Sequence, residues 1–271
     1  MGLLDGRVAF VTGVARGMGR SHATRLAREG ASIIGVDIAD TVSPHNGYAA
    51  ASEADMKATE RLLEAEGRPY LLEIADVRDS RSLESILQQG VSRFGDRLDT
   101  VVANAGINNW SRFWEMGDDQ WQTMLDINLT GVWRTMKAAV PHMISAENGG
   151  SIIAISSVAG LKALPSQAHY TAAKHGVTGL AKAAAIELGE YGIRVNTVHP
   201  WGVSTAMSED PYIEKMLTAH PNYLMSFGAV LPSLPTADSN DISDAVVYLA
   251  SDLSRAVTGT QLTVDMGATK V

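Results

Sequence analysis

The stretch Arg7-Val8-Ala9-Phe10-Val11-Thr12-Gly13-Val14-Ala15-Arg16-Gly17-Met18-Gly19 decides the fold of this chain. Its apolar first half predicts a strand over Arg7–Thr12, and the pattern after the turn predicts a helix over Met18–Glu29. Glycines at a strand-to-helix turn permit a tight bend and let the backbone approach a pyrophosphate closely. The free N–H groups of the helix start would face the phosphates. Because glycine-rich turns are common, the rest of the chain has to support this interpretation.

Short apolar runs alternate with longer helical patterns along the whole sequence. The predicted strands are Arg7–Thr12, Ala31–Asp37, Tyr70–Ala75, Thr100–Ala103, Ser151–Ser156, Arg194–His199 and Gln261–Val264. The predicted helices are Met18–Glu29, Glu53–Glu66, Ser80–Phe94, Asp119–Ile144, Gln167–Glu190 and Ser239–Ala250. This alternation predicts one α/β domain over residues 1–271, a Rossmann-like, doubly wound parallel sheet of about seven strands flanked by helices.

Composition narrows the classes of function. The chain has 271 residues, 45% of them hydrophobic, a net charge of -8 and no cysteine. Without a basic block, neither nucleic acid nor an anionic membrane surface is an expected partner. The missing cysteines exclude disulfides and thiolate metal sites, and no His, Asp or Glu cluster has metal-ligand spacing, so we predict no metal. Met1–Gly6 lacks the apolar core of a secretory signal and no run reaches membrane-span length, which predicts a cytoplasmic protein.

An acid ends the second predicted strand, about 20 residues beyond the glycines, as in dinucleotide sites. A carboxylate at Asp37 can accept both ribose hydroxyls of adenosine and would repel a 2′-phosphate, which favours NAD over NADP. Arg16 is a counter-signal, since a guanidinium there could pair with that phosphate. We interpret Arg16 as a solvated turn residue. Asp37 could equally be a cap of the strand end.

Two further turns follow predicted strands. Asp76-Val77 could contact adenine, and Asn104-Ala105-Gly106 places small residues beside a cofactor. Both lie at carboxyl ends of strands, where open α/β sheets bind ligands. Taken singly, each is as readily an ordinary turn or cap.

A second group of residues, Ser157, Tyr170 and Lys174, has side chains suited to proton transfer. Tyr170 and Lys174 are four residues apart and share a helix face, with Ser157 at the end of the fifth strand. A phenol has a pKa of about 10, too high for a base at neutral pH, and a nearby ammonium would lower it. A serine hydroxyl can hold a substrate oxygen in line with the tyrosine. The alternative, a surface Tyr and Lys on an amphipathic helix, does not explain the serine and the glycine turn together.

Two stretches interrupt the alternation. Thr41–Tyr48 delays the helix after the second strand, and spacing alone favours a solvent loop there. Residues 205–236 precede the last long helix and are rich in Met, aromatic and Pro residues. Long insertions in compact domains are often lids, and such residues suit an adaptable apolar wall, so we predict a substrate lid. A helical hairpin packed on the core is the alternative.

Together these motifs make the chain resemble the short-chain dehydrogenase/reductase family over essentially its whole length. The matching pieces are Thr12-Gly13-x-x-x-Gly17-x-Gly19, Asp76, Asn104-Ala105-Gly106, Asn128, Ser157, Tyr170-x-x-x-Lys174, Pro200 through Thr205, and Val264-Asp265-x-Gly267.

The resemblance implies a role for each matching catalytic residue. Tyr170 would be the general acid/base, and Lys174 would bind the nicotinamide ribose and depress the tyrosine pKa. Ser157 would orient the substrate. Asn128 would hold a water in a proton relay with Lys174, and Thr205 would hydrogen-bond the nicotinamide carboxamide. The expected NAD contacts are Gly13, Arg16, Gly17, Met18, Gly19, Asp37, Ile38, Asp76, Val77, Asn104, Ala105, Gly106, Tyr170, Lys174, Pro200, Val203 and Thr205.

A narrower resemblance is to the mycofactocin-associated, carveol-dehydrogenase-like branch. It rests on Gly6-Arg7-Val8-Ala9-Phe10, Arg20-Ser21-His22-Ala23 and the insertion after Asp37. That branch oxidises secondary or terpenoid alcohols with NAD, often held so tightly that it does not exchange. The resemblance thus implies an external redox acceptor, and the wider family implies a homotetramer.

Trp201 departs from the pattern, since many family members have Gly after this proline and the narrower branch often has Thr. A tryptophan there could crowd the substrate side of the nicotinamide or pack under the lid. The expected substrate pocket consists of Asn109, Trp110, Ser157, Tyr170, Trp201 and Met207. Loop packing or a subunit contact is the alternative for Asn109 and Trp110.

Three functions fit these features. The first is an NAD-dependent dehydrogenase that interconverts a secondary alcohol, of a terpenoid or cyclic kind, and its ketone by hydride transfer. The second is a reductase of acyl (3-oxoacyl) thioesters, which would usually need NADPH and a basic patch for an acidic carrier. The third is a catalytically silent NAD-binding scaffold, against which the intact Ser157, Tyr170 and Lys174 argue.

Overall fold

The computed structural model describes residues 2–231 and 233–271 of the chain. Seven parallel strands form one sheet in the order β3-β2-β1-β4-β5-β6-β7. They are β1 (Val8–Thr12), β2 (Ser32–Asp37), β3 (Tyr70–Ile74), β4 (Thr100–Ala103), β5 (Gly150–Ile155), β6 (Ile193–Pro200) and β7 (Gln261–Val264). The predicted Rossmann-like doubly wound sheet is confirmed.

Eight α-helices flank this sheet among the described residues. They are α1 (Gly17–Arg28), α2 (Glu53–Glu66), α3 (Ser80–Arg93), α4 (Asp118–Leu125), α5 (Gly131–Ser145), α6 (Ala168–Leu188), α7 (Tyr212–Ala219) and α8 (Ser239–Ala250). None of the helices in the described part of the chain combines the length and apolar character needed to cross a membrane.

Strand β1 shows why the two helical layers form. Its side chains alternate between the faces of the sheet, with Val8 and Phe10 in one buried cluster and Ala9 and Val11 in the other. The first cluster includes apolar residues of α3, α5 and α6, and the second includes those of α1, α2 and α8. An all-apolar strand is therefore required, because both of its faces are covered.

The chain order reverses between β1 and β4, which lie side by side in the sheet. The Asn104 side-chain amide donates to the Thr12 carbonyl at 2.9 Å, and its main-chain N–H donates to the Thr12 hydroxyl at 3.1 Å. These bonds hold the two strand ends at a fixed separation. Open α/β sheets bind ligands at such a reversal point, outside the carboxyl ends of the strands.

The helix predicted over Asp119–Ile144 is not continuous. Helices α4 and α5 are separated by a π-helical turn at Asp126–Thr130. Within this turn Asn128 is fully buried and bonds the backbone of Ile107, as described below. A π turn changes the helical periodicity too little for an apolar pattern to reveal it, and such turns are frequent at functional sites.

The predicted lid is built from three short helical pieces: a 3-10 turn at Ala206–Glu209, helix α7, and a 3-10 stretch at Pro221–Phe227. Pro232, one residue of the predicted range, lies outside the described residues. An isolated parallel bridge pairs Val203 with Ala237 and brings the two ends of the segment together.

Candidate active site

The glycine-rich turn after β1 has the backbone geometry that the sequence predicts. Gly13 has a φ of +76°, in the left-handed region that side chains rarely adopt. A Cβ on Gly19 would lie 1.8 Å from the Gly13 carbonyl oxygen, so no larger residue fits. Without side chains at these positions, the main chain at the start of α1 can closely approach a ligand bound at the carboxyl ends of the strands.

A cavity of about 350 Å³ opens above this turn. Its wall contains most of the residues predicted to bind the cofactor: Gly13, Arg16, Gly17, Met18, Gly19, Asp37, Ile38, Asp76, Val77, Asn104, Ala105, Gly106 and Thr205. Met207, predicted for the substrate pocket, also lies on this wall. Tyr170, Lys174, Pro200 and Val203 are not among the lining residues. Several unpredicted residues complete the wall, among them Thr41, Val42, Ser43, Pro44, Asn46, Tyr48 and Ile107.

Asp37 lies on the cavity wall and also caps the turn. One carboxylate oxygen accepts from the Ala15 N–H at 2.9 Å, and the other accepts from the Ala39 N–H at 2.9 Å. Because a carboxylate oxygen has more than one lone-pair site, each can still accept a ribose hydroxyl. The two interpretations of Asp37 are thus compatible.

The interpretation of Arg16 as a solvated turn residue is incomplete, because the residue is partly exposed but its guanidinium is also held by backbone carbonyls. Its guanidinium donates to the carbonyl oxygens of Ala49 and Ala50, the latter at 3.2 Å, and lies 6.0 Å from the centre of the Tyr48 ring. Arg16 therefore fastens the segment after β2 to the glycine turn. Spacing alone could not show this, because the partners are more than 30 residues away.

We call residues 41–48 the cover segment. Its Tyr48 hydroxyl accepts from the Asn108 N–H at 3.1 Å, and its Asn46 side chain accepts from the Asn109 amide at 3.0 Å. Val42 packs against a small apolar cluster around Val77 and Ile107. The expectation of a solvent loop is therefore wrong: the segment forms one wall of the cavity and is tied to the loop after β4.

Two polar side chains on the cavity wall, Asp76 and Asn104, differ in whether they already have a partner within the protein. Asp76 forms an ion pair with Arg78 at 2.6 Å. The side-chain carbonyl oxygen of Asn104 is buried and has no hydrogen-bond partner among the described residues. The close-approach glycines, the acid on β2 and this unpartnered acceptor fit a dinucleotide carrying ribose hydroxyls and a carboxamide donor.

Ser157, Tyr170 and Lys174 converge at the ends of β5 and α6. Ser157 follows β5, and its hydroxyl accepts from the Ala159 N–H at 3.1 Å and lies near enough to the Tyr170 phenol to lower the pKa of that group. The Lys174 ammonium donates to the Ile155 carbonyl at 2.9 Å and lies 5.6 Å from the centre of the Tyr170 ring. The predicted catalytic cluster is thus assembled, with Lys174 only 3% exposed.

The electrostatics of this cluster differ from the expectation. Burial raises the pKa of Tyr170 to about 12, although the hydrogen bond from Ser157 opposes the shift. Burial also lowers the pKa of Lys174 to about 8. Desolvation therefore dominates in the protein alone, and the expected depression of the Tyr170 pKa by Lys174 does not appear.

The Asn128 side chain is hydrogen-bonded to the main chain of Ile107. Its carbonyl oxygen accepts from the Ile107 N–H at 2.8 Å, and its amide donates to the Ile107 carbonyl at 2.7 Å. The amide also approaches the Met124 sulfur at 3.0 Å. With both amide hydrogens directed at protein atoms, the side chain cannot donate to a water, which changes how the predicted relay would be built.

Of the residues predicted to form the substrate pocket, the two tryptophans pack against the lid, whereas Asn109 is buried within the protein. Trp110 and Trp201 both contact Phe227 of the lid, with ring centres 6.2 and 5.8 Å apart, and Trp110 also stacks on Tyr212 at 6.4 Å. Asn109 does not face a pocket. It is 1% exposed and its carbonyl oxygen is bonded to Gln120 and His169.

Sequence reasoning missed two residues that shape the site. Tyr48 lies close enough to Tyr170 to raise the pKa of that phenol further. Asp210, at the start of the lid, is 5% exposed and bonds the cover segment. The only sequence signal for the first was an aromatic residue in an unexplained insertion, and none pointed to the second. Within residues 2–231 and 233–271, no group of three or more His, Asp or Glu side chains could hold a metal ion.

Fold and site together define an oxidoreductase that uses a nicotinamide dinucleotide. A family model described as enoyl-(acyl carrier protein) reductase matches residues 13–269. An uncharacterized NAD-dependent oxidoreductase of Mycobacterium tuberculosis is 50% identical, with 99% of this chain and 98% of the relative covered. The chain belongs to the short-chain dehydrogenase/reductase family and is an NAD-dependent oxidoreductase.

Two solved structures are similar over their whole length. A short-chain dehydrogenase from Mycobacterium paratuberculosis bound to NAD has a TM-score of 0.97 at 44% identity, and 100% of each chain is covered. A carveol dehydrogenase from Mycobacterium avium in complex with NAD has a TM-score of 0.93 at 44% identity, again with 100% of each chain covered.

Proposed function

We propose that the protein interconverts a secondary alcohol, of a cyclic or terpenoid kind, and its ketone by hydride transfer to and from NAD. The observation that carries this proposal is the convergence of Ser157, Tyr170 and Lys174 beside the dinucleotide cavity. These three groups can hold an alcohol oxygen and move its proton, which a binding scaffold would not need.

In this mechanism Ser157 and Tyr170 hold the alcohol oxygen through their hydroxyl groups. Tyr170 takes the hydroxyl proton as the hydride leaves the carbon, and in the reverse direction it returns the proton. When bound, NAD supplies the ring that accepts the hydride, together with a positive charge that favours the phenolate. Lys174 is largely protonated at neutral pH, because the pKa of its side chain is about 8, and so adds a second positive charge.

The remaining predicted residues are assigned to supporting roles. Lys174 would bind the nicotinamide ribose, and Thr205 would bind the carboxamide, with Pro200 and Val203 lining the same end. A π turn shifts the helical hydrogen-bond register by one residue. We assign the relay water to the main-chain carbonyl of Asn128, because its side chain is occupied by Ile107.

The apolar wall beside this cluster supports the proposed substrate class. Trp110, Trp201 and Phe227 present aromatic rings, which suits an alicyclic carbon skeleton, although the buried Trp110 indole N–H has no hydrogen-bond partner among the described residues. The similarity to a carveol dehydrogenase supports the same class. Trp201 would narrow the pocket relative to a chain with glycine at this position.

Three further features belong to the proposal. The cover segment supports membership of the mycofactocin-associated branch, in which NAD stays bound and an external acceptor reoxidises it. The family resemblance supports a homotetramer in the cytoplasm. Use of NAD counts against the acyl-thioester reductase, which would usually need NADPH, despite the description of the matching family model.

The proposal is tested by turnover of a panel of cyclic secondary alcohols, with and without an artificial electron acceptor. Tyr170→Phe should lower kcat at least about 100-fold, the smaller end of the effect of losing an acid/base group. Tyr191→Phe is the matched control, because Tyr191 is exposed and distant from the cluster in the chain. Near-parental turnover in a folded Tyr170→Phe protein would refute the assignment.

A further inference from the structure

Asp210 lies between the first turn of the lid and helix α7. It is 5% exposed, and its two carboxylate oxygens accept from different segments. One oxygen accepts from the Tyr212 N–H at 3.0 Å, at the start of α7. The other accepts from the Gly47 N–H of the cover segment at 3.2 Å, across 163 residues of sequence. A single buried carboxylate therefore joins the two segments.

The contact at Gly47 leaves no room for a side chain. A Cβ at this position would lie 2.2 Å from an Asp210 carboxylate oxygen, a distance at which something must move. The cover segment and the lid are thus in contact through the backbone of Gly47 and the carboxylate of Asp210. Hydrogen bonds to a charged acceptor are stronger than neutral ones, and more so when water is excluded.

The cover segment is also connected to the helix that carries Tyr170. The Tyr48 hydroxyl accepts from the Asn108 N–H at 3.1 Å, and the Asn108 side chain accepts from Gln167 at 2.7 Å. Gln167 is the residue immediately before α6. A shift of the cover segment would therefore be felt at the lid and at the first turn of α6.

We propose that Asp210 is a positioning residue that couples the substrate lid to the cover segment, so that a closed lid slows the release of NAD. The inference rests on the proposed function only in taking residues 205–236 as the lid over the substrate. The coupling acts in both directions, because a binding free energy shared between two sites is reciprocal. NAD binding accordingly holds α7 in place, and lid closure holds NAD.

The first experiment measures the release rate of the reduced cofactor. The protein is loaded with NADH, mixed with excess NAD, and followed by loss of bound-NADH fluorescence. Asp210→Ala should speed release at least about tenfold, because the Gly47 N–H loses a charged acceptor. Glu209→Ala, at the exposed neighbouring position, should leave the rate unchanged. Equal release rates in the parent and Asp210→Ala proteins would overturn the coupling.

A double-mutant cycle separates the Asp210–Gly47 contact from a general loss of structure. Gly47→Ala alone should also speed release, because its methyl group pushes the carboxylate away. In the Asp210→Ala background the same change should have a much smaller effect, since the clash is gone. Additive effects of the two substitutions would show that they act separately. If Asp210→Ala fails to fold, Asp210→Asn, which keeps the shape and one acceptor, replaces it in the cycle.

The second experiment measures hydrogen exchange in α7 with and without NAD. NAD should slow exchange in residues 212–219 of the parent and of Glu209→Ala, but far less in Asp210→Ala. Unaltered protection of α7 in Asp210→Ala would overturn the proposal. Neither experiment requires turnover of an alcohol, so a wrong substrate assignment would leave both results unchanged and would appear only in the activity assay.

Discussion

Tyr170 and Lys174 are each buried in surroundings that oppose a charge on their side chains. Burial raises the pKa of Tyr170 to about 12 and lowers the pKa of Lys174 to about 8. At neutral pH the phenol is therefore neutral while most of the lysine is still an ammonium. We expect proton transfer at that pH to depend on positive charge near the phenol, because the interaction with Ser157 alone does not offset the desolvation of a phenolate.

Removing the charge of Lys174 should move the pH dependence of alcohol oxidation. With Lys174→Met the phenol keeps its burial but loses an ammonium, so the midpoint of the rise in kcat should move to higher pH and kcat at neutral pH should fall. The measurement is kcat between about pH 6 and about pH 10. Lys182→Met, an exposed lysine on the same helix, should match the parent. A midpoint that does not move would remove Lys174 from the proton-transfer step.

Asp37 should set the choice between NAD and NADP. Asp37→Asn keeps the shape of the side chain and its acceptor oxygen, yet removes the negative charge that repels a 2′-phosphate. The ratio of Kd for NADP to Kd for NAD, measured on protein from which bound nucleotide has been removed, should fall at least about tenfold, since a charge repulsion at a phosphate site is lost. Asp40→Asn, exposed on the same side of the cavity, is the control. A parent enzyme that uses NADP as well as NAD would mean that Arg16 outweighs Asp37.

At the scale of elements, the sequence predicts the regular parts well for a physical reason. Strands β4 and β7 and helices α2 and α8 have the predicted bounds. Turn signals bound these elements, and capping boxes at Ser52 and Asp238 fix the residues at which the two helices begin. Local patterns of this kind fix the sheet, the glycine turn and the helix that places Tyr170 four residues before Lys174.

The parts that could not be predicted depend on contacts between distant residues. The cover segment is held by Asp210 and Asn108, and Arg16 bonds the two residues that follow it; none of the three is close to the segment in the chain. The π turn at Asp126–Thr130 exists alongside a side chain that bonds residue 107, 21 positions upstream. No periodicity encodes such contacts, so the insertion looked like solvent loop and the two helices looked like one.

The cover segment should keep NAD bound through purification. Six of its residues line the cavity on the side of Asp37, and Arg16 fastens the chain that follows. Nucleotide surface removed from water by this segment would leave slowly, since affinity differences among related complexes lie mostly in the dissociation rate. Protein purified without added nucleotide, then denatured, should release close to one NAD per chain by mass spectrometry. An apo preparation that turns over freely with added NAD would contradict this expectation.

At the scale of the whole molecule, buried histidines should make the fold sensitive to acid. Burial lowers the pKa of His22 to about 3 and the pKa values of His169 and His199 to about 4, from 6.5. At pH values between these lowered pKa values and the ordinary value of 6.5, the unfolded chain binds protons on the histidines that the folded chain does not bind. Stability is therefore fully present above pH 6.5 and is lost as the pH falls, by up to about 1.4 kcal/mol per pH unit for each histidine.

The measurement is urea unfolding between about pH 7 and about pH 5. His22→Gln should reduce the slope of unfolding free energy against pH, because one of the histidines that must bury a neutral ring is gone. The substitution also lowers stability at every pH because His22 is fully buried, so the slope is the quantity compared. His175→Gln, at an exposed position of α6, should leave the slope as in the parent. The same slope in both variants would show that His22 does not contribute.

The fastening of the cover segment to both the glycine turn and the lid also bears on the rate law. A nucleotide that stays in place between turnovers behaves as a prosthetic group, so each alcohol must deposit its hydride and depart as a ketone before the oxidant arrives. Such a protein obeys double-displacement kinetics, in which reciprocal plots at several acceptor concentrations run parallel, and one carbonyl compound can be reduced at the expense of another alcohol.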